Sequence, residues 1–275
     1  GNTFKDLTLT DVNITANNRI GGLMGQSQGA IVKNVHVSGT LNNPRDLSGL
    51  IIGITTTSTT LVDSSSSSGV IIDPRNGHGG LIGAMNGTDT LSNSYTSVSI
   101  NSSSAIGTSQ GGLVGRVYSG NTVFNSYATG NIGLTSGKAG GLVGWNEGTI
   151  QDSSSMGDVG SSSSSGGLVG VNDGTIQDSY TTSAMASGGG PLTNSSTGTI
   201  TNSYWNSDSA GVADNSLGTG LTTIQMWDST NFNSWDFTNT WDILSGDSLS
   251  FPYLQNNTPD SIPGLQMIVF SKGNG

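Results

Sequence analysis

The sequence predicts an all-β chain wound as a parallel β-solenoid of about seven coils, three strands to a coil, and three observations predict it. First, one phrase recurs with small edits: GGLVGRVYSGNTVFNSYATGNI (111–132), GGLVGWNEGTIQDSSSMGDV (140–159) and GGLVGVNDGTIQDSYTTSAM (166–185). Aligned on its leucine, the copies fall at Leu23, Leu50, Leu81, Leu113, Leu142 and Leu168, with a degraded copy at Leu192, at intervals of 24 to 32 residues. That is the range of stacked repeat units. Second, two further apolar columns follow: Val32, Leu61, Leu91, Val123, Ile150, Ile176 and Ile200, then Leu41, Val70, Ile100, Ile132, Val159 and Met185. Third, the apolar residues within each segment recur with a period near two, and no 3.6-residue stripe is long enough for a helix.

The second and third columns are nine residues apart in all six coils, while the other two spacings vary. One rigid and two elastic connections describe a coil with three sides, with insertions confined to two corners. Propeller blades need four strands and longer repeats, and fit less well. Seven coils stacked at roughly 4.8 Å make a rod about 34 Å long. Residues 1–20, with Leu9-x-Asp11 in the second column, read as part of a preceding coil, so the chain reads as a piece of a longer rod.

The corners have their own chemistry. Asn146-Glu147-Gly148-Thr149 and Asn172-Asp173-Gly174-Thr175 are turn sequences in which glycine takes a positive φ. Paired glycines before each leucine allow close packing. An Asn/Asp column, Asn34, Asp63, Asn93, Asn125, Asp152, Asp178 and Asn202, predicts a structural ladder of side chains hydrogen-bonded along the rod. Leu142 and Val143 are consecutive, so on a regular strand one of them faces outward. The outward stripe Met24, Ile51, Ile82, Val114, Val143 and Val169 then needs cover, from the chain's own loops first and from lateral self-association second.

The repeat stops near Tyr204. Residues 1–204 therefore form the solenoid domain, and residues 205–275 an irregular, aromatic-rich capping segment holding Trp205, Trp227, Trp235 and Trp241. Within it, Thr222 caps a short helix and Gln225 returns the bond. The segment covers the apolar end of the last coil; an aromatic sugar-binding platform is the alternative.

The chain has 275 residues, 9% of them charged, with a net charge of −10. Such a surface repels nucleic acid and anionic membranes, so neither is an expected partner. Cysteine is absent, which leaves stability to backbone hydrogen bonds and a continuous core. No apolar run reaches membrane-spanning length; the longest ends at Phe270.

No catalytic residue and no cofactor is expected. His36 takes the position held by Tyr95, Tyr127, Tyr180 and Tyr204 in other coils, and His78 lies in the turn-like NGHGG. Neither has a metal-ligand neighbour, and HExxH is absent. The cations Lys5, Arg19, Lys33, Arg45, Arg75, Arg116, Lys138 and Lys272 are scattered, with no two in one column of adjacent coils, unlike a polysaccharide lyase. Asp152 and Asp178 stand one strand spacing apart. They can point into solvent, share a proton or bind a cation, and solvent is the preferred expectation; as a carboxylate pair they keep a glycosidase as the alternative. The four tyrosines, with Trp145, are the candidate glycan-binding residues. Facing outward the tyrosines form an aromatic stripe for sugar rings, and facing inward they are core. Alternation from Ile176 to Tyr180 favours core, but a bend at Asp178 reverses the assignment.

GGLVGWNEGTIQDS and its sister copies resemble the GLUG motif of large bacterial surface and secreted proteins. These include filamentous-haemagglutinin-like adhesins exported by two-partner secretion and some IgA-cleaving metallopeptidases. The resemblance spans about residues 20–205, and the tail NSYWNSDSAG…FPYLQ resembles segments that follow such repeats. It implies a right-handed β-helix in a secreted or cell-surface adhesive rod, or a biofilm-matrix protein. Such a rod meets cell-surface polysaccharide, a host surface or its own copies through weak contacts repeated on a stiff scaffold. A carbohydrate-active enzyme is the runner-up. A flat threonine array for ice or mineral is less favoured, since TTTSTT (55–60) occurs in one coil.

Overall fold

The computed structural model describes residues 1–101, 109–133 and 137–267. Lys272 and the apolar run from 268 to 270 lie outside them. The strands stack in parallel from coil to coil, and three faces make each coil. Face 1 runs from Asn18–Gly21 through Asp46–Gly49, Asn76–Gly79, Ser109–Gly111 and Lys138–Gly140 to Ser164–Gly166. Face 2 stacks seven strands, Met24–Ser27, Ile52–Thr55, Ile82–Met85, Val114–Val117, Val143–Asn146, Val169–Asn172 and Thr193–Ser196. Face 3 begins with the long strands Thr3–Thr15 and Ile31–Asn42 and continues as shorter pieces such as Thr149–Gln151 and Ser154–Ser155. The solenoid expectation therefore holds.

Two coils pair in a different register from the one the leucine alignment predicts. Ile82 pairs with Ile52, Leu91 with Val62 and Ile100 with Ile71. The coil that holds Ile52 thus aligns through Ile51, Val62 and Ile71, each one later than Leu50, Leu61 and Val70, while Leu50 stays buried in the core. Leu61 is instead 42% exposed. A one-residue slip exchanges faces throughout a strand, and here the apolar pairs Leu61-Val62 and Val70-Ile71 fit either register. In the first coil Phe4 pairs with Val32 and Ile14 with Leu41, while Leu9 pairs with Val37 rather than joining the second column.

The apolar stripe does not face outward. Each coil bends between its paired glycines and the next strand, so Leu142 and Val143 both point inward and are fully buried in one core cluster. The bend removes the need for covering loops. The glycines permit it: a Cβ on Gly141 would lie 2.2 Å from the Gly167 carbonyl oxygen, and one on Gly144 2.3 Å from the Gln110 nitrogen. Crowding also explains Gly148 and Gly174, which do not adopt positive φ. A Cβ on Gly174 would lie 2.1 Å from the Gly148 carbonyl oxygen. His78 is not in a turn but in a face 1 strand, fully buried, with Nδ1 bonded to the Ser48 hydroxyl at 2.5 Å.

The C-terminal segment does two jobs. Residues 205–221 close the last coil: Thr219–Leu221 adds a strand beside Tyr204–Asn206, and Trp205 and Ala210 join the core. From Thr222 onward the chain folds back along face 3 as a strap. The predicted capping box is present, with Gln225 N–H donating to Thr222 Oγ1 at 3.3 Å and Thr222 N–H to Gln225 Oε1 at 2.9 Å. Further on, Trp241–Asp242 pairs antiparallel with Tyr253–Leu254, and Ser248–Leu249 with Gln266–Met267.

Candidate functional site

The site grows from the backbone bend on face 3. Asn34, Asn93, Asn125, Asp152, Asp178 and Asn202 all hold φ between 44° and 52°. Asn and Asp tolerate this left-handed conformation better than other residues carrying a Cβ. Ser64, not Asp63, takes that backbone position in its coil, with φ 50°. Asp63 still serves the ladder through its side chain, accepting from Asn93 Nδ2 at 2.8 Å and from Ser92 Oγ at 2.9 Å.

The ladder has a direction: the amide of one coil donates to the side-chain oxygen of the coil before it. Asn34 donates to Asp6 at 2.8 Å, Asn125 to Asn93 at 3.3 Å and Asn202 to Asp178 at 3.0 Å. A carboxylate cannot donate onward, so each Asp leaves the acceptor below it without its amide. His36 Nε2 supplies the missing donor to Asn34 Oδ1 at 3.0 Å, and Trp241 Nε1 of the strap supplies it to Asp152 Oδ1 at 3.3 Å. Nothing supplies Asn125 Oδ1, which is buried and has no partner among the described residues.

The left-handed kink also decides the tyrosines. It reverses the alternation, so the ring column faces away from the coil interior. The favoured expectation of core tyrosines inside the coil is thereby corrected. Tyr127, Tyr180 and Tyr204 belong to a second apolar cluster, formed with Leu221 of the closing strand and with Met226, Phe232, Trp235, Trp241 and Leu254 of the strap. Tyr180 is fully buried and donates its hydroxyl proton to the Pro252 carbonyl, while Tyr204 OH accepts from Asn233 N–H at 2.8 Å. Trp235 Nε1 reaches the Asn202 carbonyl at 2.8 Å. The strap therefore seals the later half of the column and occupies the ring faces of Tyr180 and Tyr204.

At the other end of the strap the column opens. Tyr95 and Tyr127 stack with ring centroids 5.0 Å apart and planes 5° from parallel. Asn257 Nδ2 pins the strap to the coil backbone at the Ser94 and Asn125 carbonyls, 3.2 and 3.0 Å away. The strap turn then leaves a cleft of about 340 Å³ against the two rings, with Met156, Thr129, Asp260 and Pro263 in its wall. Burial, and then the neighbouring Tyr95 and Asp260, push the Tyr127 phenol well above its usual range. Neither phenol oxygen is engaged by another described residue.

Trp145 lies elsewhere, on face 2, and its ring is already occupied. The Arg116 guanidinium lies 3.6 Å and the Lys138 ammonium 3.5 Å from its centroid, and Trp145 Nε1 donates to Asp173 at 2.8 Å. Arg116 is in turn held by Glu147 at 2.8 Å. The cations are thus less scattered than the sequence suggests. Arg116 and Lys138 converge on one ring, and Lys5 and Lys33 pair in register on adjacent coils.

The carboxylate pair does not point into solvent as expected. Asp178 is buried, and its oxygens accept from Asn202 and from Gln177 Nε2, the latter at 2.9 Å. Asp152 lies under Trp241, and burial, with Asp178 and Asp236 adding to it, raises its carboxyl above the usual range. No cluster of three or more metal-ligating side chains occurs among the described residues.

No family model matches the chain, and no curated protein matches it. It is similar to a crystal structure from Bacteroides ovatus provisionally described as an immunoglobulin A1 protease, with TM-score 0.52 and 17% identity over 90% of this chain and 75% of that one. At that identity the likeness extends to the fold alone. No described helix is long and apolar enough to cross a membrane.

Proposed function

We propose that the protein is an extracellular, non-enzymatic adhesive rod of the GLUG type, part of a bacterial surface or matrix protein, and that it binds glycan through weak contacts. The observation that carries this reading is the half-buried Tyr95, stacked on the buried Tyr127 and lining a cleft left beside the strap turn, while the rest of the aromatic column is sealed. Parallel aromatic faces suit the apolar faces of sugar rings. The stiff stack of coils supplies the scaffold along which such contacts add through avidity. The repeated phrase supports the same reading, since a scaffold is built from copies whereas a catalytic site is written once. A glycosidase is disfavoured because Asp152 is roofed by Trp241 and Asp178 is buried, which leaves no room for a sugar between them.

Size-exclusion chromatography with light scattering tests the proposal, using the chain alone and with a panel of bacterial and host polysaccharides. A heavier co-eluting complex with polysaccharide length unchanged is expected. A shortened polysaccharide overturns the non-enzymatic reading. A lone peak of about 28 kDa with every sugar overturns glycan binding and leaves a spacer.

A further inference from the structure

The Tyr95–Tyr127 cleft has an electrostatic character that the aromatic pair alone does not convey. Among the described residues that line it, Asp260 carries the only charge and none is Lys, Arg or His. Asp260 sits on the exposed strap turn, near enough to Tyr127 to act on its phenol. One ring face of Tyr95 is covered by Tyr127. The coil on its other side presents Ser66, which has no ring, so that the second face meets no aromatic neighbour in the column. Tyr95 is only half-buried, in contrast to Tyr127. A π face beside a carboxylate is a surface for a positively charged group: the ring quadrupole and Asp260 attract it together. The same pair repels a uronate, and the net charge of −10 adds to that repulsion. A neutral sugar could use the rings but would gain nothing from Asp260.

Resting on the glycan-binding reading above, we propose that this cleft takes an amino sugar, with the pyranose ring on Tyr95 and its ammonium directed at Asp260. Met156 and Pro263 provide the apolar wall. The two phenol oxygens are available to the sugar hydroxyls, and the Thr129 hydroxyl, which donates to the Thr96 carbonyl at 3.4 Å, can accept from them.

Titration calorimetry on the full chain tests this with three hexasaccharides: β-1,4-linked glucosamine, its fully N-acetylated form and a galacturonate. The glucosamine hexamer is expected to bind at least about fivefold more tightly than the N-acetylated one, with the preference shrinking in high salt. Galacturonate should not bind. Asp260→Asn, at an exposed position that leaves the fold intact, should bring the first two ligands level, and Tyr95→Ala should weaken both. If the N-acetylated hexamer binds as well as glucosamine, or if Asp260→Asn changes nothing, the ammonium inference fails while glycan binding stands. If none of the three binds, the inference fails, and the polysaccharide panel decides the wider reading independently. A lysine-rich peptide of matched charge that competes as well as the glucosamine hexamer overturns the sugar assignment.

Discussion

Replacing Asp152 with Asn should stabilise this protein, and the reason lies in the direction of the ladder. Every Asn rung passes an amide proton to the coil before it, and Asp152 has none to pass, so Asn125 Oδ1 remains buried without a donor among the described residues. An unsatisfied buried acceptor costs about 1–3 kcal/mol. The substitution supplies the missing donor at the position where Asn125 already serves Asn93. It keeps an oxygen for Trp241 Nε1 and removes a desolvated charge beside Asp178. Gln151, which donates to Asp152 now, can turn its amide to accept. A gain of about 1–2 kcal/mol follows, which for a chain of this size is roughly 2–6 °C in Tm.

The pH dependence separates this account from a general loss of charge repulsion. The folded-state pKa of Asp152 is raised, so the protonated form is favoured in the fold. Stability from that group is present below the unfolded value of 3.8 and lost as pH rises through the folded one. A protonated Asp152 can also donate to Asn125. The advantage of Asp152→Asn should therefore be full at pH 7, fade as pH falls through the folded value and be at its smallest below 3.8, read by calorimetric melting on both sides of that window. A variant no more stable than the parent at pH 7, or one whose advantage is the same on both sides, refutes the reasoning.

Three further outcomes follow from the same structure. Gly144→Ala forces a methyl against the face 1 backbone and should lower the urea midpoint by the equivalent of about 1–3 kcal/mol. Trp241→Ala removes a fully buried indole and should cost the strap about 3–5 kcal/mol. Limited proteolysis should then release residues beyond 222 while the solenoid keeps its β circular dichroism, and an uncut strap refutes the packing argument. Burial holds the pKa of His78 down to about 3 against 6.5 unfolded, so its contribution is intact above pH 6.5 and lost on acidification toward pH 3. His78→Gln, a residue the adjacent rung Gln110 already shows to fit, should flatten that loss by up to ~1.4 kcal/mol per pH unit.

The three-sided coil was legible because its cause is local: each side needs an inward apolar residue, and the repeat prints it every 24 to 32 positions. The register of SGLIIGITTTSTTLVDSSSSSGVIID was not. Wherever Leu-Val or Val-Ile-Ile offers two adjacent apolar residues, hydrophobicity cannot choose between them, and only the neighbouring coils can. The aromatic cleft was half legible. Its tyrosines stood in a visible column, but their direction turned on the φ of a residue such as Asp178. Their cover came from strap contacts 29 to 163 residues away in sequence, made by a segment outside the repeat.

Ser154 shows why the strap seats where it does. In the ring column Tyr127 pairs with Ser154 and Ser154 with Tyr180, so one coil lacks its tyrosine. Trp241 occupies that level: it bonds to Asp152 of the same coil, meets Tyr180 edge-on at 5.7 Å and stacks on Trp235 at 4.5 Å. A complete tyrosine stack would deny the indole its seat. The gap in the tyrosines and the acceptor that Asp178 leaves without an amide fall in the same coil, and a single tryptophan serves both. The strap is thereby fixed in register on the rod, and its turn is carried to Tyr127, where the sealed part of the column ends and the open cleft begins.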